Sequence, residues 1–250
     1  MTAPQIIPAA TLILLRDGED GSPPDLIMLE RAGSMAFAPG AMVFPGGRID
    51  PGDRDAAGTL GPDSDLPARI AAIRETIEEV GIAIGLHPAP CPATLARLRA
   101  GLAAGIPFAT LLANHGLQLR PDSLVPFARW CPNFPETRSF DTHFFLALAP
   151  TDAEPTPDGA EAVAALWTTA AAMLADAEAG RRHLIFPTRR NLERLGRCAD
   201  PADAIAQARA FPVRCITPWT EERTDGRWLC IPDDLGYPVT AERFDQVQRA

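Results

Sequence analysis

The chain has 250 residues, 46% of them apolar, enough to bury a large core in one unit. Its 23 basic residues, all arginine, stand against 32 acidic ones for a formal charge of −9. A net acidic chain lacks the basic face that nonspecific nucleic-acid or anionic-membrane binding needs, so neither partner is expected.

In chain order, the apolar runs 10–15 and 26–29 flank an Asp/Gly/Pro turn and predict a β-hairpin. Phe44-Pro45-Gly46-Gly47 follows, a turn whose glycines let backbone approach an ion or ligand without an intervening Cβ. The Gly-, Asp- and Pro-rich stretch 54–66 is expected to be a surface loop. A helix predicted over 69–80 carries Ile70, Ile73, Ile77 and Val80 on its apolar face, with Gly81 as its stop. On that helix Glu75, Glu78 and Glu79 are related as i, i+3 and i+4, so their carboxylates share one face. Three bare carboxylates repel one another and call for positive charge. A hard divalent cation such as Mg²⁺ takes such oxygen ligands while substrate phosphate supplies others. A Glu-rich face alone is ordinarily a solvated one; the Pro-Gly-Gly turn beside it makes the combination read as a site.

Between 87 and 120 a second inserted region shows helical spacing at Leu95, Leu98 and Leu102, then at Phe108, Leu111 and Leu112, with Gly116 as a stop. Packing, a lid and a dimer surface all remain open for it, so a homodimer stays among the expected partners. Strands are predicted over 125–130, 142–148 and 161–167, the last running into a helix over 169–179. Asp200-Pro201 reads as an N-cap followed by Pro at the first helical position. The runs 213–217 and 227–231 are expected to close the sheet as a hairpin. Five cysteines, at 91, 131, 198, 215 and 230, form no Cys-x-x-Cys pair and read as reduced, buried packing residues of a cytoplasmic protein. No stretch reads as a leader or membrane span. With no repeats, residues 1–250 read as one domain with insertions at about 54–66 and 87–120.

Gly47, then Asp53, then Arg74-Glu75-Thr76-Ile77-Glu78-Glu79-Val80-Gly81-Ile82 resemble the signature of the Nudix hydrolase family. Asp53 stands where the signature has Glu, Thr76 where it has an aliphatic residue, and residues 54–73 fill a space in which it has seven. Lengthening a surface loop costs little, about 0.6 kcal/mol per doubling, so the site can survive the insertion. The interrupted box, the run 37–50, Trp130-Cys131-Pro132 and the stretch 138–146 are similar to the peroxisomal acyl-coenzyme A diphosphatase branch of the family.

The resemblance implies an α/β/α sandwich on a mixed sheet and a Mg²⁺- or Mn²⁺-dependent diphosphatase acting on a small-molecule diphosphate. It implies metal ligands Glu75, Glu78 and Glu79, the Gly46 carbonyl and Glu161, six residues before Trp167. Glu75 or Glu79 would serve as general base, with Arg74 orienting the cluster through charge-assisted hydrogen bonds. Arg31, Phe37 and Phe44 are candidates to face a nucleotide, a Phe ring being able to stack on a base. Gly47, Arg138 and Asp141 are further substrate-binding candidates, and Arg181, Arg182, Arg189 and Arg190 form a basic cluster, read as a solvated face or a 3′-phosphate contact. Coenzyme A or an acyl-coenzyme A is the leading substrate. ADP-ribose, NADH, nucleotide sugars or other nucleotides are the alternative, and a non-catalytic Nudix-like binding module is the alternative of another class.

Overall fold

One long strand organises the sheet. In the computed structural model, which describes residues 5–18, 21–35, 37–131 and 138–247, β1 (Gln5–Arg16) runs parallel to β8 (Arg138–Leu148) from Gln5 to Leu15. Its other edge is shared. β4 (Gly46–Arg48) pairs with Ala9, Ala10 and Thr11, whereas β2 (Asp25–Arg31) meets β1 only at Leu15 and Arg16. β1 and β2 therefore diverge from a common turn, and the Pro-Gly-Gly segment is threaded between them. β3 (Met42–Val43) and β9 (Ala162–Thr169) flank β2, while β7 (Val125–Trp130) and β10 (Cys215–Ile216) extend the sheet beyond β8.

Strand alternation sends successive β1 side chains to opposite faces, and each face has its own core. Leu12 and Leu14 pack with Phe145 under α1 (Pro51–Gly58), α2 (Leu66–Val80), α3 (Pro92–Ala103) and α4 (Phe108–Asn114). Ile13 and Leu15 pack with Leu146 under α5 (Ala170–Glu178), α6 (Phe186–Leu195) and α7 (Pro201–Ala210). The result is an α/β/α sandwich on a mixed sheet. On α2, Ile70, Ile73 and Ile77 are all 0% exposed, each contributing about 1.5–3 kcal/mol of burial, which clamps the helix so that its acidic face has one orientation. Short strands β5 (Leu86–His87) and β6 (Gln118–Leu119) pair across the base of the α3–α4 insertion. Among the described residues no helix is long and apolar enough to cross a membrane.

Several expectations need correction. The stretch 54–66 is not all loop: its first part belongs to α1, which Pro51 opens and in which the Asp53 carboxylate accepts the Asp50 N–H at 2.9 Å. Ala56 and Ala57 enter the core and Asp53 is buried, so tertiary contacts hold a helix whose composition reads as turn. The runs 213–217 and 227–231 do not pair with each other. Cys215 and Ile216 join β7 in parallel, while β12 (Gly226–Cys230) is the middle strand of a separate sheet with β11 (Trp219–Arg223) and β13 (Ala241–Arg243). The two-residue Thr224-Asp225 connection makes the local hairpin cheaper to close than the distant one.

All five cysteines are free, but only Cys198 and Cys230 are buried, with Cys91 and Cys215 exposed. The late arginines do not form one basic face either. Arg190 is 2% exposed and bonds to Glu193 and Glu242, Arg182 pairs with Glu30, and Arg181 with Asp176.

Candidate active site

Arg74 is the hub. Its Nε and Nη2 donate to the two carboxylate oxygens of Asp53 at 3.1 and 3.0 Å, a fork that fits both planar groups. Nη2 also donates to the Arg48 carbonyl at 2.9 Å, which ties α2 to β4. Nη1 donates to Glu75 at 2.8 Å and to Glu78 at 2.9 Å. Every N–H of this buried guanidinium thus has an acceptor. Burial alone would lower its pKa, but the hydrogen bond to Asp53 and the charges of Glu75, Asp53 and Glu78 outweigh that and raise it. One turn on, Glu79 is 4% exposed and accepts the Gly46 N–H at 2.7 Å, so Gly46 meets the cluster through its amide.

The carboxylates outnumber the guanidiniums that face them. Burial pushes the Glu75 carboxyl up to about 8 despite the pull of Arg74, with Glu78 and Glu161 adding to the rise. Glu79 is raised well above its ordinary value by burial and by Glu75, against the Gly46 N–H and the charge of Arg31. Glu78 is raised by burial too, with Arg74 opposing. Such a cluster takes on positive charge favourably. Glu161 itself is exposed, in a turn built by Asp158, whose carboxylate accepts the N–H groups of Ala160, Glu161 and Ala162 at 2.8–3.2 Å. Space is tight opposite Glu75: a Cβ on Gly47 would lie 2.4 Å from the Glu75 carboxyl, which would have to shift.

Among the described residues no three His, Cys, Asp or Glu side chains form a ready-made metal cage; Glu75 and Glu78 lean on Arg74 and Glu79 on Gly46. An oxygen-only set short of positive charge nevertheless fits a hard divalent ion, because Mg²⁺ keeps several waters and uses only one or two carboxylates beside substrate phosphate.

No family model matches the chain. A solved Nudix hydrolase from Alicyclobacillus acidocaldarius is 31% identical, with a TM-score of 0.72 over 82% of this chain and 97% of that one. The chain belongs to the Nudix hydrolase family. The human acyl-coenzyme A diphosphatase NUDT19 is 28% identical across 58% of this chain, which spans only 53% of that protein's length. Enzymes of this family generally use divalent metals.

Within this Nudix hydrolase the interruption of the box leaves its geometry closed, because α1 returns Asp53 to Arg74. Of the substrate candidates, Arg31 ends β2, donates through Nε to the Phe37 carbonyl at 3.1 Å, and faces Glu79 electrostatically. Phe37 is 36% exposed and lies 5.0 Å from the Phe140 ring. Phe44 requires correction: at 3% exposure it belongs to the core on the α5–α7 face, where a buried ring cannot receive a base. Asp141 is engaged by Arg129 through two bonds of 2.8 and 2.7 Å, which hold its carboxyl below the usual range. Arg138 opens β8, and its side chain lies outside the described residues, as does Pro132.

Sequence reasoning missed Asp158 and Phe140, and treated Asp53 only as a variant box position. Asp158-Gly159 was a visible turn signal. Nothing local marked Phe140, whose partner comes from another strand connection.

Proposed function

We propose that this Nudix hydrolase cleaves the diphosphate of coenzyme A or its acyl esters into adenosine 3′,5′-bisphosphate and a 4′-phosphopantetheine. The observation that carries hydrolysis is the buried Arg74 hub, which holds Glu75 and Glu78 beside Glu79. The similarity to the human acyl-coenzyme A diphosphatase supports the substrate. Residues 1–250 act as one catalytic unit.

Glu75, Glu78 and Glu79 are the proposed holders of Mg²⁺ or Mn²⁺, with the Gly46 carbonyl and Glu161 completing the set. When bound, the ion neutralises diphosphate oxygens and lowers the pKa of a coordinated water. Arg74 keeps two of the carboxylates aimed without spending a donor on substrate. Glu75 or Glu79 takes the proton of the attacking water. The water oxygen bonds to one phosphorus, the bridging P–O bond breaks, and the bridging oxygen leaves with the other phosphate. Gly47 leaves room for Glu75, while Arg31 and Phe37 border the nucleotide side, with Arg138 and Asp141 as further contacts.

The test is mass-spectrometric product analysis with Mg²⁺ or Mn²⁺ and a panel of coenzyme A, acetyl-coenzyme A, ADP-ribose, NADH, diadenosine polyphosphates and nucleoside triphosphates. Adenosine 3′,5′-bisphosphate should appear fastest, and Glu78→Gln should lose it while melting as the wild type does. Faster cleavage of another diphosphate would discard the substrate. Binding of these compounds without turnover under either metal would replace catalysis by a binding module.

A further inference from the structure

The helices inserted between α2 and β7 reach the carboxylate cluster through one side chain. Arg99, on α3, donates through Nε to the Glu78 carbonyl at 2.9 Å and through Nη2 to the carbonyls of Glu79 and Thr156 at 3.4 and 2.6 Å. The Thr156 N–H donates in turn to the Val80 carbonyl at 2.8 Å. Carbonyls 78, 79 and 80 belong to the last turn of α2, where no following helical N–H is available to them. A single guanidinium and a single backbone amide satisfy all three.

Charge works in the same direction. The C-terminal end of a helix carries partial negative charge, which here adds to that of Glu78 and Glu79. The last turn of α2 has no basic residue of its own, so Arg99 brings in the cation from another element. Gly81 makes the approach possible: its left-handed φ of +67° ends the helix, and a Cβ there would sit 3.2 Å from Arg99 Nη1. Thr156 stands two residues before Asp158, whose carboxylate folds the turn bearing Glu161. Arg99 thereby joins the backbone of Glu78 and Glu79 to the segment that carries Glu161.

We infer that Arg99 is a positioning residue for the metal centre, and that the inserted helices are the buttress from which it fixes two carboxylate-bearing residues against the loop carrying a third. This rests on the reading of Glu78, Glu79 and Glu161 as metal ligands. A misplacement on the order of 1 Å at such a centre can cost about a hundredfold in rate.

The experiment compares Mn²⁺ binding by calorimetry, without substrate, and kcat and KM for the wild type, Arg99→Ala, Arg99→Lys and Leu98→Ala. Loss of an outer-shell partner predicts that Arg99→Ala weakens Mn²⁺ binding and lowers kcat by about tenfold or more, with KM moved less. Arg99→Lys should recover part of both, since an ammonium reaches one carbonyl but not three. Leu98 is 0% exposed on the same helix, so Leu98→Ala lowers the melting temperature through a cavity and should leave Mn²⁺ affinity unchanged. The inference is overturned if Arg99→Ala stays within about twofold of wild type in both readings, below the usual outer-shell effect. It is equally overturned if Leu98→Ala, at matched destabilisation, loses as much Mn²⁺ affinity. Should Arg99→Ala not fold, wild-type affinity and kcat in Arg99→Lys overturn it. A wild-type chain that neither binds Mn²⁺ nor hydrolyses any diphosphate removes the metal-centre reading itself, before any variant is compared.

Discussion

Replacing Asp53 by Asn perturbs the support of the cluster without changing the shape of the side chain. The Asp53 carboxylate is 2% exposed and accepts from Arg74 Nε at 3.1 Å, Arg74 Nη2 at 3.0 Å and the Asp50 N–H at 2.9 Å. In the Asn variant one acceptor oxygen becomes an NH₂ group that faces donors, so at least one buried N–H loses its partner. Removing one member of a buried ion pair costs about 3–5 kcal/mol when the other is left uncompensated. Arg74 retains Glu75 at 2.8 Å and Glu78 at 2.9 Å, which places the loss at the lower end, about 3 kcal/mol. In a chain of this length about 1 kcal/mol moves Tm by roughly 2–4 °C, so the midpoint should fall by about 6–12 °C. Urea midpoints at constant slope give the free energy directly. Freed on one side, the Arg74 guanidinium no longer fixes Glu75 and Glu78, and kcat should fall by about 10–100-fold. A variant within about 1 kcal/mol of wild type that also keeps its kcat would refute the claim that this fork carries the site.

Gly47→Ala should lower kcat by about a hundredfold and lower Tm with the far-UV spectrum retained, because the added Cβ lies 2.4 Å from the Glu75 carboxyl and displaces it from Arg74; wild-type turnover would show that Glu75 is free to move. Away from the cluster, burial pushes the Glu193 carboxyl up to about 7, from an ordinary 4.5, against the pull of Arg190 at 2.8 Å. A raised folded-state value means the ionised form is the less stable one, so this contribution is complete below 4.5 and is lost as the pH rises through about 7. Relative to wild type, Glu193→Gln should therefore gain in urea midpoint between about pH 5 and about pH 8, and a gap that stays constant or narrows contradicts the assignment.

Features governed by near neighbours could be read from the chain. The acidic and apolar faces of α2 follow from helical geometry alone, and Gly81 ends the helix with the positive φ that glycine tolerates. The hairpin of β1 and β2 and the leucine spacing of α3 and α4 were legible for the same reason. The α1 helix was not, since its residues favour turns and its stability comes from the Asp53–Arg74 fork and from Ala56 and Ala57 in the core. Arg190 on α6 misled in the other direction. It is 2% exposed, because Glu242 and the Val239 carbonyl, from a distant segment, take up a side chain that ordinarily faces water.

The sequence by itself determined the chemistry of the centre: three carboxylates on one helical face, an adjacent arginine and a glycine turn close by, all set by residue type and a period of 3.6. Only the tertiary structure decided what aims them. Asp53, Gly46 and Arg99 come from a helix, a strand and an insertion that lie outside the acidic stretch of α2 and more than a helical turn from it along the chain. Hydrogen bonds between such segments form only once the core is packed, so local propensity carries no trace of them.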